Sequence, residues 1–188
     1  MKNKTRCAWV TEDPLYIDYH DNEWGIPVHD DKKLFEFLLL EGFQAGLSWI
    51  TILKKRENFR LAFDDFDYRK IALYDDNKRE ELLQNAGIIR NKLKITSTLI
   101  NAQAFIEIQK EFGSFDKYIW NYVNGKTINN NFKSLEQVPA KTELSDRISK
   151  DLKKRGFKFA GSTIIYAFMQ AIGMVNDHTI DCYKKINK

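Results

Sequence analysis

Apolar positions recur along the chain at spacings of three and four, and alternating β-branched runs are scarce, so the pattern predicts helices nearly throughout. Leu34, Phe35, Leu38 and Leu39 form one stripe that Asp30 or Asp31 can cap, and Gly42 is expected to end that helix near Glu41. Past Gly46, Ser48 can cap a second helix reaching about Phe63, with Trp49, Ile52, Leu53 and Phe59 inward and Lys54, Lys55 and Arg56 outward. Further helices are expected near Tyr68 to Leu73, near Lys78 to Asn85, from about Lys92 to Phe112, and over 115–123. Between Gly125 and Thr142 the pattern lapses into polar residues and Val138-Pro-Ala, a long loop joining two helical lobes. Order returns in a helix from Thr142 or Ser145 to Arg155, and in another, with Ile164, Ile165, Phe168 and Met169, that stops near Gly173. The expected fold is all-α and two-lobed, a single domain over residues 1–188.

Composition narrows the class. With 43% hydrophobic and 30% charged residues in 188, the chain has globular proportions rather than those of a disordered one. Its longest apolar runs fall far short of the roughly 20 residues that span a bilayer. Lys2, Lys4 and Arg6 are followed by no apolar stretch, so no secretory leader is expected and the cytoplasm is the default location. There Cys7 and Cys182 would remain thiols.

Charge is unevenly spread. Residues 11–41 hold nine acids against Lys32 and Lys33, a local −7 within a net +4, which leaves +11 for the remainder. The positive residues gather in Lys54-Lys55-Arg56 with Arg60, in Arg90, Lys92 and Lys94, and in Lys150 to Lys158. Such basic stretches beside an acidic, aromatic segment suggest a polyanion held around a differently charged pocket, although solvated helix faces would look the same.

Three features carry chemistry. Gly156 and Gly161 bracket a tight turn between two amphipathic helices: Gly156 can take the left-handed conformation, and Gly161 lets a backbone approach. The free N–H groups from Ser162 onward, at the positive end of a helix dipole, suit a phosphate, with Lys158 and the upstream basic run adding attraction. Any helical hairpin also needs turn glycines. Cys7, His20, His178 and Cys182 are the donor set of a closed tetrahedral zinc site, with His178 and Cys182 spaced to share one helical turn. The alternative is two free thiols and two surface histidines; His29 reads as a surface residue either way. Lastly, Glu41 ends the apolar run Phe37 to Leu40, and Trp9, Trp24, Trp49, Tyr16 and Tyr19 crowd the first fifty residues. If Glu41 turns inward, it is a carboxylate in an aromatic box suited to a flat cationic ligand; core packing accounts for the aromatics equally well.

These features occur together with long strings: Cys7-Ala-Trp-Val10, Asp13-Pro-Leu-Tyr-Ile-Asp-Tyr-His-Asp-Asn-Glu-Trp-Gly25, Gln44-Ala-Gly-Leu-Ser-Trp-Ile-Thr-Ile-Leu-Lys-Lys-Arg-Glu57, Lys153-Lys-Arg-Gly-Phe-Lys-Phe-Ala-Gly161 and Asn176-Asp-His178. In them the chain strongly resembles the bacterial family of 3-methyladenine DNA glycosylase I, from Cys7 to about Cys182. The resemblance implies the helix-hairpin-helix glycosylase fold, with the DNA-binding hairpin at about 145–173, and a structural zinc on Cys7, His20, His178 and Cys182. It implies that Glu41, Tyr19 and Trp49 line the pocket for an extruded base, Glu41 as the residue nearest the chemistry, with Trp9, Tyr16 and Trp24 close by. Gln44 and Leu47 match the loop that fills the gap in the duplex, and Lys158, Gly161 and Ser162 fall at the phosphate-binding turn.

The implied activity is hydrolytic removal of 3-methyladenine from double-stranded alkylated DNA by a monomer that needs no nucleotide cofactor and leaves an abasic site. Phe43 departs from a polar residue common in the family, which bears on pocket shape, and the tail after Cys182 is short. Many relatives carry a catalytic Asp shortly after the hairpin; Asn176 stands there in this chain, and Asp177 is expected to orient the neighbouring zinc ligand. A DNA-binding module without enzymatic activity would have the hairpin but no need of a buried Glu41. A metal-dependent phosphohydrolase finds support only in the doublets His20-Asp21 and His29-Asp30, which no later doublet completes.

Overall fold

The computed structural model describes residues 4–185, so Lys2 lies outside the described residues. Helices dominate: α1 (Pro14–Asn22), α2 (Asp31–Gln44), α3 (Trp49–Ala62), α4 (Tyr68–Ile71), α5 (Asp76–Gln84), α6 (Lys92–Phe112), α7 (Phe115–Asn121), α8 (Glu143–Lys154) and α9 (Ser162–Ala171). Most begin where a short polar side chain replaces a missing helical partner. The carboxylate of Asp30 accepts from the Lys33 amide at 2.8 Å, and Thr142 and Ser145 satisfy one another's amides ahead of α8. Ser48 precedes α3 but meets the Thr51 hydroxyl instead of an amide.

Several expectations change. The apolar pattern gives no sign of α1, yet Asp13 caps it and Pro14 occupies its first position, a start signal independent of amphipathicity. α2 runs past Gly42 to Gln44, because this glycine lies where helix and turn meet: a Cβ there would stand 3.4 Å from the Cβ of Phe159. Nor is the chain wholly helical. Ile128–Asn129 (β1) pairs in parallel with Val175–Asn176 (β2), a ladder too short to leave any period-two signal in the sequence. Arg56 turns inward rather than outward, its guanidinium donating to Glu36 at 2.7 Å and to both oxygens of Glu23 at 2.8 and 2.9 Å. That arrangement fastens the residue after α1 to α2 and α3, and a buried guanidinium so fully paired avoids the cost of a lone charge.

α2 is the central strut. It packs against α9 on one side and against α6 and α3 elsewhere, while α9 packs on α8. Phe35, Phe59, Phe63, Phe105, Phe115 and Phe168 are fully buried in one apolar cluster that draws on both halves of the chain. Its effect is to hold the C-terminal end of α2, with Glu41, beside α1, the start of α3 and α9. Among the described residues no helix is long and apolar enough to cross a membrane.

Candidate functional site

A cavity of about 350 Å³ opens where these elements converge, a volume that accommodates a purine. One wall is aromatic: Trp9, Tyr16, Tyr19, Trp24 and Trp49, with Glu41 among them and Gln44 at the margin. The rings brace one another, Trp9 meeting Tyr16 and Trp24 edge-on at 5.5 and 5.1 Å between centroids, and Tyr19 lying 5.3 Å from Trp49. Glu41 is only 4% exposed, and its Oε2 has no hydrogen-bond partner, nor has the indole nitrogen of Trp49. Burial alone pushes the Glu41 carboxyl up to about 8. Burial also raises the Tyr19 phenol well above its ordinary range, with the nearby Glu41 charge adding to it. Leaving a buried polar atom unpaired costs about 1–3 kcal/mol, an expense that the fold alone does not account for. An acceptor and a donor without protein partners on one aromatic wall suit a flat ligand carrying both functions.

A second stretch of wall comprises Leu135, Val138 to Ala140, Thr163, Tyr166, Gln170, Asp177 and Thr179. Asp177 does not orient His178. It accepts from the Tyr166 hydroxyl at 2.6 Å, from Gln170 at 2.8 Å and from Asn130 at 2.7 Å, and so belongs to the cavity wall. The residue that holds His178 is Asn176, whose Oδ1 lies 2.9 Å from Nδ1. A signal for this wall existed in the sequence: Tyr166 and Gln170 are four apart, polar groups sharing one face of an otherwise apolar helix. Phe43 plays no part in either wall; it is buried against Phe59, 4.7 Å between centroids.

Cys7, His20 and Cys182, all buried, bring one ligand atom each to within 4.8 Å of one another. His178 is outside that trio but adjacent, its ring 5.0 Å from that of His20. It does not share a helical turn with Cys182. The chain after β2 is a succession of turns, one closed by the Cys182 amide on the Thr179 carbonyl at 2.9 Å. Gly25 makes room for this histidine: at φ +74° it carries no Cβ, which would stand 2.8 Å from His178 Cε1. The four residues fit a metal in their donor chemistry. Asp21 holds His20 at Nδ1 across 2.8 Å as Asn176 holds His178, and the Nε2 of His178 is buried with no partner. Burial pushes the Cys7 thiol up to about 12 and depresses both histidines, so the imidazoles are neutral donors.

Gly156, at φ +98°, ends the connection out of α8, and Gly161 precedes α9 in an ordinary extended conformation with nothing within 4 Å of where a Cβ would lie. The Ser162 hydroxyl is 2.8 Å from that of Ser145, tying the turn to α8. Leu47, 40% exposed, and half-buried Gln44 mark the loop beyond α2. The three basic stretches fare differently. Lys54 pairs with Asp13, Lys55 donates to the Ala86 and Gly87 carbonyls, and Arg56 is internal. Lys94 is also buried, while Arg155 pairs with Glu111 and Asp151. Within these three stretches, exposed positive charge outside those pairings is left on Lys150, Lys153, Lys154 and Lys158 of α8 and the turn after it, and on Arg90 and Lys92.

A mostly helical fold with an aromatic cavity, one unpaired carboxyl and a cluster of thiols and imidazoles at the joined chain ends defines a small-ligand site beside a basic helical hairpin. The family model described as methyladenine glycosylase matches residues 9–185, and the chain belongs to that family. It is 52% identical over 177 residues to DNA-3-methyladenine glycosylase 1 of Escherichia coli K12, covering 94% of this chain and 95% of that protein. A crystal structure of 3-methyladenine DNA glycosylase I superposes with a TM-score of 0.94 at 51% identity, over 97% of this chain and all of the other. The Staphylococcus aureus enzyme, whose structure concerns recognition of 3-methyladenine, matches with a TM-score of 0.94 at 38% identity, covering 97% of each chain.

Proposed function

We propose that this protein is a monofunctional DNA-3-methyladenine glycosylase, acting as a monomer on alkylated duplex DNA. The observation that carries the reading is the unpaired, buried Glu41 carboxyl in an aromatic cavity of purine size. Methylation at N3 gives the adenine of a nucleotide a positive charge. An extruded cation of this kind gains ring faces and a carboxylate counter-charge, whereas normal adenine is neutral, leaves Glu41 protonated and gains no ion pair. As the cation enters, Glu41 gives up its proton to solvent and becomes the counter-charge, and the hydrogens of the exocyclic 6-amino group meet Oε2. Trp49 and Tyr19 stack on or edge the ring, with Trp9, Tyr16 and Trp24 supporting them.

The methylated base already leaves readily. The bond from C1′ to N9 breaks with both electrons passing to nitrogen, which cancels the charge on the base; water then bonds to C1′ and loses a proton. Catalysis here consists of extrusion, orientation and a desolvated pocket. In this reading α8, the turn and α9 are the helix-hairpin-helix of a two-lobed glycosylase domain. The amides after Gly161 and the Lys158 side chain hold phosphate, Gln44 and Leu47 occupy the gap left in the duplex, and Asp177 shapes the cavity that Glu41 also lines. Zinc on Cys7, His20, His178 and Cys182 would tie the two ends of the chain together; four protein ligands leave no open position, so its part is structural.

Incubation with methylated duplex DNA, followed by chromatography of released bases, tests the reading. Release of 3-methyladenine is expected; a folded protein that releases none refutes it.

A further inference from the structure

Lys94 belongs to a basic stretch that suggests contact with a polyanion, yet it is only 7% exposed. Its ammonium donates to the Phe43 carbonyl at 2.8 Å and to the Ala45 carbonyl at 2.6 Å, one in the last turn of α2 and one at the start of the loop that carries Leu47. It also lies 6.0 Å from the centroid of the Phe159 ring, in the turn between α8 and α9. Seven residues further along α6, Asn101 grips that same turn twice: its Nδ2 donates to the Lys158 carbonyl at 3.0 Å, and its Oδ1 accepts from the Lys158 amide at 2.8 Å. A seven-residue separation places both side chains on one face of the helix, about 10.5 Å apart along its axis. Leu38, Leu39 and Gly42 of α2, with Phe159, pack over the interval between them.

We propose that Lys94 and Asn101 are positioning residues that fix the loop at 44–48 and the hairpin turn at 156–161 to one face of α6, setting the spacing between the two segments that grip DNA. The inference rests on the glycosylase reading, in which the first segment fills the duplex gap and the second holds the phosphate backbone. Neither residue touches the base cavity. Between the two anchors Gly42, two residues before the first segment, approaches Phe159 of the second, whose backbone is itself held at φ +51°. Surface loops fastened by nothing but their own ends sample many arrangements. An extruded nucleotide reaches Glu41 only when gap-filler and phosphate clamp are in register, and a displacement of about 1 Å far from the reacting atoms can cost about 100-fold.

The test uses the full-length variants Lys94→Met and Asn101→Leu and the double variant. Three quantities are read: binding of free 3-methyladenine, binding of a duplex holding a tetrahydrofuran abasic analogue, and single-turnover release of base from methylated duplex. Each single variant should bind the free base within about twofold of the parent and lose about 10- to 100-fold in duplex affinity and base release. The double variant should lose little more than the worse single one, since both residues fix one distance and their effects should not add. Duplex binding and base release within twofold of the parent would overturn the proposal. So would a parallel loss of free-base binding, or failure of either variant to fold, since each would assign the contacts to the core instead. A parent protein that binds the abasic duplex but releases no base would refute the glycosylase reading by itself.

Discussion

The imidazole of His178 is held at Nδ1 by the side-chain oxygen of Asn176, 2.9 Å away, and its Nε2 is buried without a partner. Asn176 thus fixes the proton on Nδ1 and leaves Nε2 unprotonated with its lone pair available to a metal, as Asp21 does for His20. If these nitrogens complete a zinc site with Cys7 and Cys182, purified protein should contain one zinc per chain. Asn176→Ala should then weaken zinc retention by about 10- to 100-fold, the usual cost of losing an outer hydrogen bond. Metal analysis during a chelator titration checks both statements; absence of zinc from protein purified without chelators would refute the first.

Glu41 should make the protein less stable as pH rises. Its carboxyl titrates near 8 when folded, against an ordinary value of 4.5, so the folded state retains a proton that the unfolded state releases between those limits. The resulting cost is absent below pH 4.5, grows with pH, and is complete above about 8. Glu41→Gln removes it and should stabilise the protein at pH 7.5 by roughly 2–4 kcal/mol, at 1.36 kcal/mol per unit of pKa, with the gain vanishing near pH 4.5. The same variant should lose affinity for 3-methyladenine while keeping duplex affinity. Denaturant melts at both pH values and a base titration provide the comparison; equal stability at pH 7.5 would show that the carboxyl carries no such cost.

What the sequence made legible follows the range of each signal. Helix caps are local, so Asp30, Thr142 and the start of α6 at Lys92 emerge directly from residue type and spacing. Glu41 and the N-terminal aromatics stand out because a carboxyl beside an apolar run breaks the pattern. Contacts between distant segments leave no such trace. Gly42 resembles a helix terminator until Phe159 is seen against it, Lys94 resembles a phosphate ligand until its carbonyl partners appear, and the trio around Asp177 is drawn from α9 and from Asn130, far apart in the chain. The exchanged parts of Asn176, which ends β2, and Asp177, which follows it, depend on which way each side chain leaves the backbone, and spacing carries no information about that.

Gly161 has no structural need to be glycine. Its φ is −66° and the space about its absent Cβ is open, so Gly161→Ala should fold with an unchanged melting temperature. If a phosphate approaches the amides beyond it, Gly161→Asp should weaken duplex binding by at least about tenfold through crowding and repulsion near the positive end of α9. Lys158→Ala should instead reduce the dependence of log affinity on log salt by nearly one, because each neutralised phosphate releases counterions. Filter binding across a salt series distinguishes the two effects, and unchanged affinity of a folded Gly161→Asp protein would place the DNA surface elsewhere.

The strand should remain intact after the base is removed. Glycosylases that also cut the strand use an amine to attack the sugar, forming an imine through which the backbone is then cleaved. Among the described residues lining the cavity there is no lysine, and the positions after Gly161 are Ser162, Thr163, Ile164 and Ile165, none of which can form an imine. Lys158 is nearest in sequence, but its backbone is clamped by Asn101 and its exposed side chain is not among the residues lining the cavity. Lys94 is spent on two carbonyls. Without an amine at the sugar, the carbon left by the departing base has only water to meet. Incubation with methylated duplex and borohydride should therefore trap no covalent protein–DNA adduct, and the product should break at the abasic site only after treatment with alkali. An adduct that maps to Lys158 would overturn this assignment.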